Sequence, residues 1–188
     1  MAAPRARDAV TTSPKNLVVA GAAGVGKTTL VKEAAWPWRE RIGGFWTESI
    51  MEAGARVGFR LRTFDGQEAL LASKSLASTA RLNKYGVDLD VLERIGVAAL
   101  QRSLAEGRLT VIDEIGAMGS LSASFRETCL ACLSSEAPVL ATIRLRTKGF
   151  EEPVRRLAQT AVVELRRGSY EAVRTEVRAW LAHQIDRP

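Results

Sequence analysis

The chain has 188 residues, 46% hydrophobic and 26% charged, with a mean hydropathy near zero. That length and composition fit one globular domain with a core on both faces of a sheet, argue against a second catalytic domain within these residues, and offer no apolar run near the roughly 20 residues that span a bilayer. The net charge of +6 favours phosphate-bearing ligands, but 21 of the 27 basic residues are arginines spread along the chain, so nucleic acid stays a possible partner that no cluster indicates.

Residues 1–15 (MAAPRARDAVTTSPK) read as a flexible N-terminal extension. They lack the apolar segment of a secretory signal and are short for the organelle transit peptide that their Arg, Ala, Ser and Thr resemble. Residues 16–188 read as a single domain. Asn16 to Ala20 (NLVVA) predicts a buried strand, GAAGVGKTT a loop, and TLVKEAA a helix that stops at Trp36, Pro37 and Trp38. GGFWTESI, ARVGFRLRTF and the stretch ending in LLAS alternate apolar and polar residues around glycine turns, including Asp65-Gly66, and predict antiparallel strands.

VDLDVLERIGVAALQRSLAEG predicts a helix with its apolar stripe at Val91, Leu92, Ile95, Ala98, Ala99 and Leu104, stopped by Gly107. Leu109 to Ile112 is then a strand and Leu121 to Ser134 a helix. VLATI, EPVRRLAQ, AVVELR and YEAVRTEVRAWLAHQI continue as strand, helix, strand and closing amphipathic helix. Strands that alternate with helices imply right-handed parallel crossovers. The expected fold class is therefore α/β, a three-layer domain with a mostly parallel sheet, helices on both faces and an antiparallel addition.

The segment Gly21, Ala22, Ala23, Gly24, Val25, Gly26, Lys27, Thr28 fits G-x-x-x-x-G-K-[ST] between a strand and a helix. Such a loop turns successive backbone N–H groups toward phosphate oxygens, and the helix N-terminus adds to the attraction. Lys27 is expected between the β and γ phosphates, the Thr28 hydroxyl on Mg²⁺, and Thr29 near the α phosphate. A phosphate loop needs a second carboxylate at a neighbouring strand tip to hold the metal. Asp113 of Val111-Ile112-Asp113-Glu114-Ile115-Gly116 is the candidate, with Glu114 aimed at an attacking water. Adjacent strand residues point to opposite faces, so both acids can share a site only where the pleat relaxes; Gly116 suggests that the strand ends there.

The two cysteines, Cys129 and Cys132, have CxxC spacing. They lie a turn or two inside a predicted helix, away from the N-terminus that activates a redox pair, and the single histidine, His183, leaves zinc short of ligands. We read them as buried structural thiols in a reducing, cytoplasmic compartment.

With GAAGVGKTTL stand Gly44-Phe45-Trp46-Thr47-Glu48, Gly54-Ala-Arg56-Val-Gly58-Phe59, Phe64-Asp65-Gly66, Lys84-Tyr85-Gly86-Val87, VIDEIG and the ATI strand. In this ordered set the chain resembles the cancer-related nucleoside-triphosphatase family, small P-loop enzymes also found in thermophilic bacteria and archaea. The resemblance implies hydrolysis of ATP, GTP and other nucleoside triphosphates, CTP and UTP among them, to the diphosphate with weak base preference; Mg²⁺ is the expected cofactor from the loop residues, and the chain is expected to be a monomer. Two departures stand out. The family usually carries a lysine where this chain has Ala117 and an acid where it has Gly119.

In the expected mechanism Lys27 and the loop amides neutralise charge while Glu114 orients water. An arginine meets the developing charge, Arg144 or Arg146 just past the ATI strand. If neither reaches, turnover is slow until a partner supplies one. Phe45 and Trp46 are expected in the core, with stacking on a base as the alternative, and Glu48 is equally a site residue or a solvated strand position. The competing functions are a nucleotide or nucleoside kinase, with GGFWTE and the Arg-bearing hairpins as acceptor site, and a nucleotide-gated switch for nucleic acid or another partner.

Overall fold

Strand β1 (Asn16–Gly21) sets the layering. Val18 and Ala20 belong to one buried cluster, Leu17 and Val19 to another, the period of two that sends successive side chains to opposite faces. A strand without a polar face must be covered twice. In the computed structural model, which describes residues 13–145 and 151–186, helices α1 (Lys27–Ala35) and α6 (Tyr170–Ile185) cover one face. The other lies beneath a helical run over 89–105 and beneath α4 (Ala123–Ser134).

The remaining strands are β2 (Ile42–Glu52), β3 (Ala55–Thr63), β4 (Glu68–Ser73), β5 (Arg81–Leu82), β6 (Tyr85–Val87), β7 (Leu109–Ile115), β8 (Val139–Arg144) and β9 (Thr160–Leu165), with a short helix α5 (Glu151–Arg155) before the last. They form one sheet in the order β5-β6-β4-β3-β2-β7-β8-β1-β9. From β2 to β9 neighbours are parallel, and from β2 to β5 antiparallel. The expected three-layer α/β class with its antiparallel addition is what the chain adopts. The parallel strands place their carboxyl ends on one edge, where such sheets bind ligands.

Four local expectations need correction. The helical run contains a π turn at Leu92–Val97, which advances the helix phase by part of a turn. Gly96, Val97 and Leu100 are therefore buried, while Ile95, Ala98 and Leu104 are only half-buried. Helix α4 starts at Ala123 rather than Leu121, because the Ser122 hydroxyl accepts from Phe125 N at 3.1 Å and caps the first turn. Strand β7 runs on through both acids to Ile115. Finally, Pro14 O accepts from Trp180 Nε1 at 2.7 Å and Gln184 Nε2 at 3.0 Å, and Lys15 Nζ donates to Leu133 O at 2.9 Å. Those residues are part of the domain; residues 1–12 of the expected extension lie outside the described residues.

Candidate active site

The phosphate loop begins where β1 ends and closes on α1 at Lys27. Gly24 and Gly26 have φ of 74° and 101°, the left-handed region that costs glycine nothing and other residues up to 1–2 kcal/mol or so. These two positions bend the loop back over the helix N-terminus. Lys27 is buried, and its ammonium donates to Gly21 O at 3.1 Å and Ala22 O at 3.3 Å. It also lies 3.6 Å from Glu114 Oε2.

Asp113 is completely buried, on β7 beside α1. Its Oδ2 accepts from the Thr28 hydroxyl at 2.7 Å and from Thr47 N at 3.5 Å, and its Oδ1 from the Thr142 hydroxyl at 2.5 Å. Burial is the strongest influence on this carboxyl and pushes it up to about 6; the Thr142 and Thr28 hydrogen bonds oppose that, and the nearby charge of Glu114 adds to it.

Both acids reach one site without the strand ending first. Opposite β8, Ile112 pairs with Ala141 and Ile115 with Ile143, so two residues of β7 face the single Thr142. One extra residue is a bulge, and a bulge re-aims the side chains beside it. The Asp113–Glu114 peptide is cis. Glu114, 29% exposed, lies with Oε2 near Lys27 and with Oε1 3.5 Å from Arg144 Nε at the end of β8. Arg146 lies outside the described residues.

A cleft of about 290 Å³ opens over this cluster. Ala23, Gly24, Gly26, Lys27, Thr28, Thr29, Glu114, Gly116 and Arg144 line its phosphate-loop end. Val111, Ile112 and Ile115 do not reach it. All three are fully buried in the two cores, on the strand that carries the acids. Ala22 and Val25 face the other side of the loop, where a shallower hollow is bounded by Leu145, Glu164, Leu165, Arg166 and Arg167.

Strand β2 divides its residues between two roles. Phe45, Thr47 and Ser49 line the cleft. Trp46, only 4% exposed, packs against Trp36 and Phe64 on the far face. Glu48 points the same way and pairs with Lys32 and with Arg62, at 3.3 Å from its Nε. Burial would raise the Glu48 carboxyl, but hydrogen bonds from Lys32 and Trp46 and the Arg62 charge outweigh it and hold the group below the usual carboxylate range. Glu48 is therefore a structural ion-pair residue. Trp46 is core, and Phe45, 2% exposed, shows the cleft little of its ring.

Sequence reasoning missed Thr142 and Ser49 and gave Phe59 no role; Thr47 and Arg56 entered it only through GGFWTE and the Arg-bearing hairpins as an acceptor site. For Thr142 a signal existed: it is the one hydroxyl in an otherwise apolar buried strand, where a polar group needs a partner. The two departures, Ala117 and Gly119, both lie on the cleft wall. A Cβ on Gly119 would fall 2.3 Å from the Phe125 ring, so the ring occupies the space a side chain would need. Cys129 and Cys132 are free, buried and absent from the cleft lining, as the reading of structural thiols has it.

A phosphate loop on a parallel sheet, with a buried aspartate against its threonine and a glutamate beside its lysine, defines a P-loop NTPase. Comparison with known proteins makes this more specific. A family profile described as NTPase matches residues 16–178, and the chain belongs to that family. The nucleoside-triphosphatase THEP1 of Thermotoga sp. (strain RQ2) is 39% identical over 161 residues, which are 86% of this chain and 92% of that one. The crystal structure of THEP1 from the hyperthermophile Aquifex aeolicus superposes with a TM-score of 0.81 at 29% identity, over 92% of this chain and 99% of that one. The solution structure of a human cancer-related nucleoside triphosphatase gives 0.76 at 26% identity, again over 92% and 99%. The family resemblance carried by the sequence motifs is borne out.

Proposed function

We propose that this protein hydrolyses nucleoside triphosphates to the diphosphate and phosphate, with Mg²⁺, and that Lys27, Thr28, Asp113, Glu114 and Arg144 do the work. The observation that carries the reading is the position of the Glu114 carboxylate, between Lys27 at 3.6 Å and Arg144 at 3.5 Å and one residue from the Asp113–Thr28 pair. Lys27 and the loop N–H groups hold the β and γ phosphates. Glu114 orients a water and accepts its proton as the oxygen approaches phosphorus in line. Arg144 faces the charge that develops on the γ phosphate, so the chain contributes mainly positioning and electrostatics.

The residues present fit a magnesium ion. A wholly buried carboxylate whose nearest partners are neutral hydroxyls is short of positive charge, and hard oxygen donors suit Mg²⁺. Among the described residues no group of three or more His, Cys, Asp and Glu gathers, in keeping with an ion that takes one or two protein oxygens and completes its shell with phosphate and water. Thr28 and Asp113 would hold it, Asp113 directly or through water. Bound there, it would neutralise charge on the transferring phosphate.

We take weak base preference from the family resemblance; a hollow on the outer side of the loop, lined by Val25, Leu145, Glu164, Leu165, Arg166 and Arg167, is the place we assign to the base. A reducing, cytoplasm-like compartment is supported by two unpaired thiols held as core residues; no helix among the described residues is long and apolar enough to cross a membrane. Phosphate release from ATP, GTP, CTP and UTP, with and without Mg²⁺, tests the proposal. Similar rates for all four, abolished by chelation, are expected. Absence of release from every triphosphate would reject it.

A further inference from the structure

The cleft does not stop at the glutamate. Besides the phosphate-loop residues and Glu114, its lining includes the six apolar side chains of Phe59, Leu71, Leu82, Leu92, Met118 and Phe125, which form the wall of a chamber. Phosphate groups and an attacking water gain nothing from such walls, since apolar surface rewards only apolar surface. The chamber is also built into the core. Leu71, Leu92 and Phe125 are at most 2% exposed and belong to the main buried cluster. Ala117 and Gly119 add wall without charge.

Three polar groups interrupt the carbon surface: the hydroxyls of Thr47 and Ser49, two residues apart on β2, and the guanidinium of the exposed Arg56, 5.3 Å from the centre of the Phe59 ring. An apolar pocket with a few convergent polar groups is the ordinary form of a small-molecule site, and this cleft is at the small end of the roughly 300 to 1,000 Å³ such sites occupy.

We propose that the chamber is an acceptor site, and that this protein transfers the γ phosphoryl group to a small alcohol carrying one planar ring system. The ring lies against Phe59, Leu82 and Met118, the half-buried apolar side chains of the lining, its edge meets Thr47, Ser49 or Arg56, and its hydroxyl points at Glu114. In the step, the acceptor oxygen forms a bond to the γ phosphorus and the bond from that phosphorus to the bridging oxygen breaks. The diphosphate leaves with the electron pair, and the hydroxyl proton passes to the Glu114 carboxylate. Hydrolysis is the same step with water in place of the alcohol. The inference rests on the reading of the phosphate-loop cluster given above, and it asks nothing different of those residues.

The test incubates the purified protein with Mg²⁺, γ-labelled ATP and a panel of ring alcohols, namely the common nucleosides, benzyl alcohol and the pyridinemethanols, with glycerol and methanol as ringless controls. Label is expected on at least one ring alcohol, with a fall in free phosphate as it is added and none on the controls. Ala117→Trp, at an exposed position on the chamber wall, is expected to lower transfer about ten-fold or more relative to hydrolysis, the scale of a lost pocket contact. The proposal is overturned if no ring alcohol takes label or lowers phosphate release, if the ringless controls take label as well, or if Ala117→Trp lowers transfer and hydrolysis by the same factor. Phosphate release with no transfer leaves the hydrolase reading standing and removes this one; transfer without release does the reverse.

Discussion

Thr142 on β8 donates a 2.5 Å hydrogen bond to Oδ1 of Asp113 on β7, so the buried carboxylate is fixed from the strand beside its own. Thr142→Val keeps the shape and removes the donor. The stranded carboxylate oxygen should cost about 1–3 kcal/mol, read as a lower denaturation midpoint. On the proposal that Asp113 holds Mg²⁺, the Mg²⁺ concentration for half-maximal turnover should rise by roughly 10- to 100-fold. An unchanged Mg²⁺ requirement would reduce Thr142 to a packing residue.

Glu114→Gln and Lys27→Ala should separate chemistry from binding. The first keeps shape and loses the base, so triphosphate affinity should hold while turnover falls by about 10² to 10⁴. The second removes a charge-assisted contact worth about 1.5–3 kcal/mol, so affinity should drop by roughly 10- to 150-fold along with activity. Equilibrium binding and single-turnover hydrolysis on the same samples decide it. Wild-type hydrolysis by the glutamine variant would take Glu114 out of the mechanism.

Arg144→Ala should lower turnover by about 10³ to 10⁵ if this residue meets the transition-state charge. Arg144→Lys should recover little, since a lysine lacks the planar fork. A loss of less than about ten-fold would shift the role to another arginine.

The two thiols make a pH prediction. Burial pushes Cys132 up to about 11 and raises Cys129 well above the usual thiol range, with the neighbouring Cys132 as a second influence on the latter. Both stay neutral in the folded protein where an ordinary thiol, near 8.5, ionises. Their contribution to stability is complete below that value and is lost as pH rises toward 11. At pH 8 iodoacetamide should modify neither thiol in the native protein and both in denaturant, which intact mass reports.

The parts of the site that were legible early are contiguous in the chain. Lys27 and Thr28 follow from the loop pattern, and Asp113 from the demand that loop makes for a metal ligand. How Asp113 and Glu114 come to share a site was not legible. It depends on a register slip against β8, between segments almost thirty residues apart. The phase of the helix over 89–105 was misread for a related reason: a straight 3.6-residue count does not see a π turn, which tertiary packing against Leu61 and Phe45 accommodates at Gly96.

By itself, then, the amino-acid order determined the phosphate loop, the alternation of buried strands with helices, and the pair of acids, because each rests on neighbours in the chain and on backbone geometry that recurs wherever those residues recur. Only the tertiary structure decided that Trp46 and Glu48 turn away while Thr47 and Ser49 turn in, that Thr142 secures Asp113, and that Phe59, Leu92, Met118 and Phe125 gather with Glu114 in the lining of one cleft. Those are relations between distant segments. Their physical cause is the sheet's pleat and register, which convert a one-residue difference along the chain into opposite faces of the molecule.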